Sequence, residues 1–473
     1  MHILRGEWAW FLFGSGYQTS VDSTVAAGFF AVLGATPLAL MLSTFVGHLT
    51  ATGLAFDTLR RHLDPWLAAL LTLPLVFTPS PLHTYILGPP RQAALTLVFL
   101  SLWTTDGAAR SRAPRARYFA GAALASVACF ADPYALLFLP PLLFLSLLAA
   151  FDGLDARTEA RNVATRAGWI CAGGAIGFVP FLLLSFSARA VQGETTFTTN
   201  ALARNFRLLT DECLPWVLST TAYTPESALG YVRWHSGTLF RLVQAAGGLT
   251  LMAGAAFALV ASRMTRIPWP VRRLGVFGFV LIPTTLGAFL VSVMVMDLFS
   301  ARYLVAVVLA SPFALAPAAY RLGLRRFGAT LAPYVVSAAV AGWLGFGAKV
   351  ANPAPVHLPG SGALDETRLE RALLEKGVTS AVADYWVSYR LTFLYREALE
   401  VIPVHAAEDR YPAYRRTFAR AARVAYVFDA NRSRETFASM LDEVMLQEGI
   451  AAPTATLREG DLTAVILDRP PKS

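Results

Sequence analysis

Arg110-Ser-Arg-Ala-Pro-Arg-Ala-Arg117 puts four arginines between two apolar stretches, 91–104 and 117–130. Working outward, apolar stretches also run over 37–57, 65–79, 134–151, 167–187, 241–262, 274–297, 303–320 and 328–348. Arginines gather at the ends of every second stretch. Besides the quoted loop, they are Arg60 and Arg61; Arg157, Arg161 and Arg166; Arg263, Arg266, Arg272 and Arg273; and Arg321, Arg325 and Arg326. These five short loops hold 16 arginines, and the short loops between them hold two, Arg91 and Arg302. Short-loop Lys/Arg excess marks the cytoplasmic side of a helical membrane protein. The pattern predicts a mainly α, polytopic chain of about ten spans. It places residues 1–36, 188–240 and 349–473 outside the cytoplasm. Stretches 65–79, 91–104 and 117–130 fall short of the roughly 20 residues a bilayer needs. They are expected to extend into flanking polar residues or to pack within the bundle.

Composition agrees. Of 473 residues, 55% are hydrophobic and 15% charged, with a mean hydropathy of +0.50. The net charge of +9 is mostly arginine on the loops assigned to the cytoplasm. Topology and anionic lipid account for it, so no nucleic-acid partner is implied. Cys129 and Cys171 fall in spans and Cys213 in an external loop, which gives no external pair for a disulfide. Asn431-Arg-Ser433 fits a glycosylation sequon, but such a short motif is usually unread. Met1 is placed outside with no signal peptide before it, and His2–Phe13 is too short and polar to be one. The pattern favours a further helix upstream of this sequence over unaided insertion.

Residues 1–350 thus form the transmembrane part, with 1–36 as first external loop and 188–240 as a long external loop. Residues 351–473 differ in kind. Asn352-Pro-Ala-Pro355 and Pro359-Gly-Ser-Gly362 read as a linker. Then follow a helix over Asp365–Lys376 stopping at Gly377, a strand over Val378–Asp384, and a helix over Trp386–Glu397. A strand over Leu399–Val404, a helix over Tyr411–Ala422, a strand over Val424–Phe428 and a helix over Ser433–Glu448 come next. The chain closes on a hairpin, Thr454–Arg458 and Leu462–Leu467. This alternation predicts a small extracytoplasmic α/β domain with a partly parallel sheet. It lacks a Gly-rich phosphate loop.

Several segments resemble a known family. His2-Ile-Leu-Arg-Gly-Glu-Trp8, Phe13-Gly-Ser-Gly-Tyr-Gln-Thr-Ser-Val-Asp22, Ala26-Ala-Gly-Phe-Phe-Ala-Val-Leu-Gly34 and Pro37-Leu-Ala-Leu-Met41 form one group. They resemble the first external loop and second helix of bacterial GT-C glycosyltransferases, relatives of protein mannosyltransferases and lipid A sugar transferases. Phe299-Ser-Ala-Arg-Tyr-Leu304 is similar to their late Arg-Tyr segment. Asp384-Tyr-Trp-Val-Ser-Tyr-Arg-Leu-Thr-Phe393 and Arg410-Tyr-Pro-Ala-Tyr414 resemble the periplasmic tail of one bacterial branch. The resemblance implies a bacterial inner-membrane enzyme. It would move a sugar from a polyprenyl-phosphate donor to a lipid, glycan or protein acceptor on the extracytoplasmic side. Such chemistry needs a carboxylate to accept a proton and cations to receive the leaving phosphate. The family's base is an Asp just after the first helix, and this sequence begins too late to contain it.

The remaining candidates carry two readings each. Arg302, Arg91 and Tyr303 would bind the donor phosphate. Alternatively, Arg302 snorkels to headgroups or pairs with Asp297, and Tyr303 belongs to an interfacial belt. Glu7, Asp22 and Asp132 are the candidate catalytic carboxylates, and Glu7 or Asp22 could instead ligate a divalent cation. Against that, Asp22 sits where an N-cap would, before Ser23-Thr24, and Asp132-Pro133 is an ordinary turn dipeptide. His83 and Tyr85 would line an acceptor groove. His48 reads as a hydrogen-bonded interior histidine. Trp386, Tyr389 and Phe393 recur at the spacing of a helix core face. No metal motif and no cofactor is indicated. Two other classes stay open: a non-catalytic relative that binds lipid-linked glycan or scaffolds an envelope complex, and a secondary transporter. The transporter reading lacks paired intramembrane charges and repeated halves.

Overall fold

The computed structural model describes residues 1–13, 18–76, 91–148, 156–187, 197–221, 223–225, 231–233, 237–261, 266–351, 363–429, 434–460 and 462–470. His83, Tyr85 and the Asn431 sequon lie outside them.

The apolar stretches are helices. In chain order these are α1 Val21–Leu33, α2 Pro37–Arg60, α3 Pro65–Val76, α4 Gln92–Asp106, α5 Pro114–Ala131, α6 Leu139–Leu148, α7 Ala156–Ser187, α8 Leu202–Leu208, α9 Leu214–Val217, α10 Thr238–Ala261, α11 Trp269–Val291 and α12 Val305–Ala351. Among the described residues, four helical stretches are long and apolar enough to cross a membrane: Pro37–Arg60, Arg161–Leu184, Trp269–Val291 and Ser300–Val340. Other apolar helices are shorter, such as the 12-residue α3. Within α12 the helix breaks at Gly323, whose φ of 72° is left-handed. The break falls inside the Arg321–Arg326 loop, where a glycine permits a backbone that an L side chain resists.

Three helices in the first loop and the long external loop add to the expected spans. Helix α1 stands inside residues 1–36, and α8 leads through a π-turn, Leu209–Cys213, into α9. Asn205 on α8 is buried and donates its amide to the carbonyls of Phe289, Leu290 and Ser292, which tethers α8 to the C-terminus of α11.

Close packing rests on small residues. A Cβ on Gly177 would lie 2.4 Å from the Ser126 carbonyl oxygen, and one on Gly173 would lie 2.2 Å from that of Phe119. Helices α5 and α7 therefore meet backbone to backbone, as membrane helices do at small-xxx-small positions. Phe99, Phe277 and Phe313 fill the centre of the bundle, with ring centroids 5.3–6.2 Å from Phe313.

The tail holds a five-stranded sheet in the order β4-β3-β5-β7-β6. Its strands are β3 Ser380–Ala383, β4 Glu400–Pro403, β5 Arg423–Asp429, β6 Ala455–Glu459 and β7 Leu462–Asp468; β1 Tyr223–Pro225 and β2 Tyr231–Arg233 pair separately. Strand β3 runs parallel to β4 and β5, while β7 is antiparallel to β5 and β6. Helices α13 Ala363–Glu375, α14 Tyr385–Leu394, α15 Pro412–Arg420 and α16 Arg434–Gln447 connect the strands. The parallel strands are continuously apolar because both faces are covered, by Leu369, Leu373 and Leu391 on one side and Tyr414 and Phe418 on the other.

The tail and the first loop interlock. His2 hydrogen-bonds Glu7 at 2.7 Å and the Tyr414 hydroxyl at 3.0 Å, and Arg5 pairs with Glu397. Phe30 of α1 stacks on Phe393 of α14 at 5.8 Å. The Tyr389 hydroxyl accepts the Arg410 N–H. Phe393 and Tyr389 therefore serve contacts at the edge of the tail, whereas their helical spacing implies a place in its core. The Trp386 side chain is outside the described residues.

Candidate functional site

The site assembles where the starts of α4 and α12 meet the end of α5. Asp132 ends α5 in extended backbone and is 1% exposed. Its Oδ1 accepts the Tyr134 N–H at 2.7 Å, which starts the 3-10 turn Pro133–Phe138. Its Oδ2 accepts the Gln18 amide at 2.9 Å and Arg91 Nε at 3.1 Å. The turn function of Asp132 and its contact with an arginine thus coexist.

Arg91 occupies the N-cap position of α4 with a φ of 110°. Its guanidinium carbon lies 4.7 Å from the Tyr134 ring centroid and 5.8 Å from that of Tyr303. Arg302 lies 4.7 Å from the same Tyr303 ring, and its Nη2 donates to the Tyr303 hydroxyl at 2.9 Å. The Tyr134 hydroxyl donates to the Tyr303 carbonyl at 2.9 Å and accepts the Ala306 N–H at 3.1 Å. Two guanidinium groups thereby converge on one tyrosine ring, and cation–π contact favours both placements. Asp297 forms a capping box with Ser300 at the start of the following 3-10 turn.

Asp22 is buried in α1, at its second residue, and does not cap its own helix. Its Oδ1 accepts the Ala93 N–H at 2.8 Å and its Oδ2 the Arg91 N–H at 2.9 Å. Burial pushes its carboxyl up, against the two amides that favour the charged form. Glu7 stands apart from this cluster. It is exposed, accepts from the Tyr411 hydroxyl at 2.9 Å, and is held below the usual carboxylate range by His2 and then Tyr411.

Of the sequence candidates, then, Arg91, Arg302, Tyr303, Asp132 and Asp22 come together. Gln18 and Tyr134 join them, and neither was singled out, although Tyr134 lay inside the quoted Asp-Pro-Tyr turn. Among the described residues no group of three or more His, Cys, Asp or Glu side chains could hold a metal ion. His48 is an interior histidine, its Nε2 2.9 Å from the Leu75 carbonyl oxygen.

A second charged cluster was missed altogether. Buried Asp106, at the end of α4, meets His62 Nε2 at 2.9 Å, Arg61 at 3.7 Å and Arg273 at 3.9 Å. Asp57 accepts Trp103 Nε1 at 2.7 Å and pairs with Arg61 at 2.9 Å. Its arginines belong to the arginine-rich loops, and Asp106 stands at the opposite end of α4 from Arg91.

No family model and no curated protein matches the sequence. Solved structures do match the fold. ArnT from Cupriavidus metallidurans bound to undecaprenyl phosphate superposes with a TM-score of 0.57 at 14% identity, over 98% of this chain and 91% of that one. The same protein in the apo state gives 0.56, with the same identity and coverage. This chain shares the fold of ArnT, a GT-C glycosyltransferase. The shared fold spans the bundle and the tail together, since the match covers nearly all of the chain.

Proposed function

We propose that this protein is a membrane glycosyltransferase that takes a polyprenyl-phosphate-linked sugar as donor. The observation that carries the reading is the convergence of Arg91 and Arg302 on Tyr303 beside Asp132, within a GT-C fold. The ArnT structure of that fold binds undecaprenyl phosphate. Arginine presents planar, paired donors that match a phosphate, and near low-dielectric lipid such donors act strongly on a leaving anion.

In the reaction, a hydroxyl or amine of a lipid, glycan or protein attacks the anomeric carbon. The bond from that carbon to the phosphate oxygen breaks, and the electron pair leaves with the polyprenyl phosphate. Asp132 is the carboxylate in contact with Arg91 and takes the acceptor's proton after its Oδ2 exchanges the Gln18 amide for the acceptor. The arginine-rich loops support an extracytoplasmic site in the bacterial inner membrane, with 188–240 and the 351–473 domain on the same side. That domain covers the acceptor side, held there by the first loop.

A second reading is a non-catalytic binder of lipid-linked glycan. It is favoured by the protein donors that each oxygen of Asp22 and Asp132 already accepts.

Purified protein in nanodiscs, given a polyprenyl-phosphate-linked sugar and an envelope lipid extract, tests both. Release of polyprenyl phosphate that stops in Asp132→Asn supports the transferase. Saturable donor binding with no release supports the binder. Absence of binding overturns both.

A further inference from the structure

We propose that Asp22 is a positioning residue which sets the direction of Arg91, and that it does not act as a base. The inference rests on the donor-phosphate reading of Arg91 above.

The start of a helix leaves N–H groups without intrahelical partners, and a side-chain oxygen at the N-cap position usually accepts one. The N-cap position of α4 is an arginine, which carries donors only and cannot do this. Asp22 supplies the missing oxygens from another helix, 69 and 71 residues earlier in the chain, accepting the N–H groups of Arg91 and Ala93. A carboxylate at a helix N-terminus is also favoured by the helix dipole. With capping done in this way, position 91 is released to carry a guanidinium.

The backbone of Arg91 has a φ of 110°, a left-handed region that a non-glycine residue resists. Such a conformation persists only where its surroundings hold it. Asp22 grips the Arg91 N–H itself, so the grip acts at the strained residue. From that backbone the side chain reaches Asp132 and the rings of Tyr134 and Tyr303. The segment carrying Asp22 also holds the other end of the contact. Gln18 donates to Asp132, and the Thr19 N–H donates to the Ala131 carbonyl at 3.3 Å. Residues 18–22 therefore bracket both members of the Arg91–Asp132 pair.

Titration of the full chain in nanodiscs with undecaprenyl phosphate tests this, using Arg91→Ala, Asp22→Ala, Asp22→Asn and the double variant Asp22→Ala/Arg91→Ala. Arg91→Ala should weaken binding about 10- to 100-fold, the scale of a charge-assisted contact. Asp22→Ala should weaken it about 5- to 20-fold in the wild-type background and by less than about 2-fold in the Arg91→Ala background, because coupled residues fail to add. Asn keeps one acceptor oxygen where Asp22 uses two, so Asp22→Asn should lose one of the two N–H contacts, weaken affinity less than Asp22→Ala does, within about 5-fold of wild type, and retain sugar transfer. Equal losses from Asp22→Ala in both backgrounds would overturn the inference. So would abolition of transfer by Asp22→Asn with binding intact, which would make Asp22 the base. If Asp22→Ala fails to fold, the Asp22→Asn arm still decides. Wild-type protein that ignores undecaprenyl phosphate, or an Arg91→Ala variant that binds it unchanged, would instead sink the phosphate reading.

Discussion

Arg91 donates its Nε–H to Oδ2 of Asp132 across 3.1 Å, and both side chains are largely shielded from solvent. The pair ties the start of α4 to the end of α5 and sets one cation beside Tyr303. A charge pair in such surroundings is costly to assemble and more costly to break.

Replacing Asp132 with Asn should therefore do more than slow transfer. The buried Arg91 charge would lose its counterion, at a cost of about 3–5 kcal/mol. Unfolding in detergent, followed by far-ultraviolet circular dichroism, should show a clear drop in midpoint. An unchanged midpoint would mean that Gln18 and Tyr134 alone hold this corner.

Arg302 should be selective for its chemistry. Arg302→Ala is expected to reduce undecaprenyl phosphate affinity about 10- to 100-fold. Arg302→Lys keeps the charge but loses the planar fork and its ring contact, so it should recover only part of the loss. Titration of both variants in nanodiscs measures this, and full recovery by lysine would show that charge alone is read.

The Asp106 cluster should behave in the opposite way. Asp106→Asn removes the buried carboxylate that His62, Arg61 and Arg273 share, so stability should fall by about 3–5 kcal/mol. Donor affinity, measured at a temperature where the variant stays folded, should be unchanged. A loss of affinity would place this cluster in the binding machinery.

The contact between first loop and tail should depend on acid. The Glu7 carboxyl is held below its ordinary value of 4.5 by hydrogen bonds from His2 and Tyr411. A lowered folded value means that the contact is at full strength above about pH 4.5 and is lost as pH falls through the depressed value. Hydrogen exchange of residues 1–13 at pH 6 and pH 3.5, each divided into the intrinsic rate at that pH, should show lower protection factors in acid. Glu7→Gln should remove most of that difference, and equal protection factors at both pH values would contradict it.

Much of this was legible in the chain. Arginines ending alternate apolar stretches located the helices, because a membrane span must be apolar and its ends need not be. The strands of the tail were legible because Val, Ile, Tyr and Phe runs alternate with charged helices there. Helix α1 was not, since Val21–Leu33 is short and sits among glycines that read as loop. The partners of Asp22 were out of reach, for they are backbone amides on another helix. Asp57, His62 and Asp106 were missed for a similar reason: each looks like an isolated polar residue near a helix end, and only folding brings them together. Phe393 looked like core because helical spacing reports a buried face without saying whether the tail or α1 buries it.

A cryo-electron-microscopy structure of the full chain with undecaprenyl phosphate added tests the central claim most directly. The expected result is phosphate density within hydrogen-bond distance of the guanidinium groups of Arg91 and Arg302, next to the Tyr303 ring. Phosphate density elsewhere, with the Arg302 side chain turned toward lipid, would contradict it.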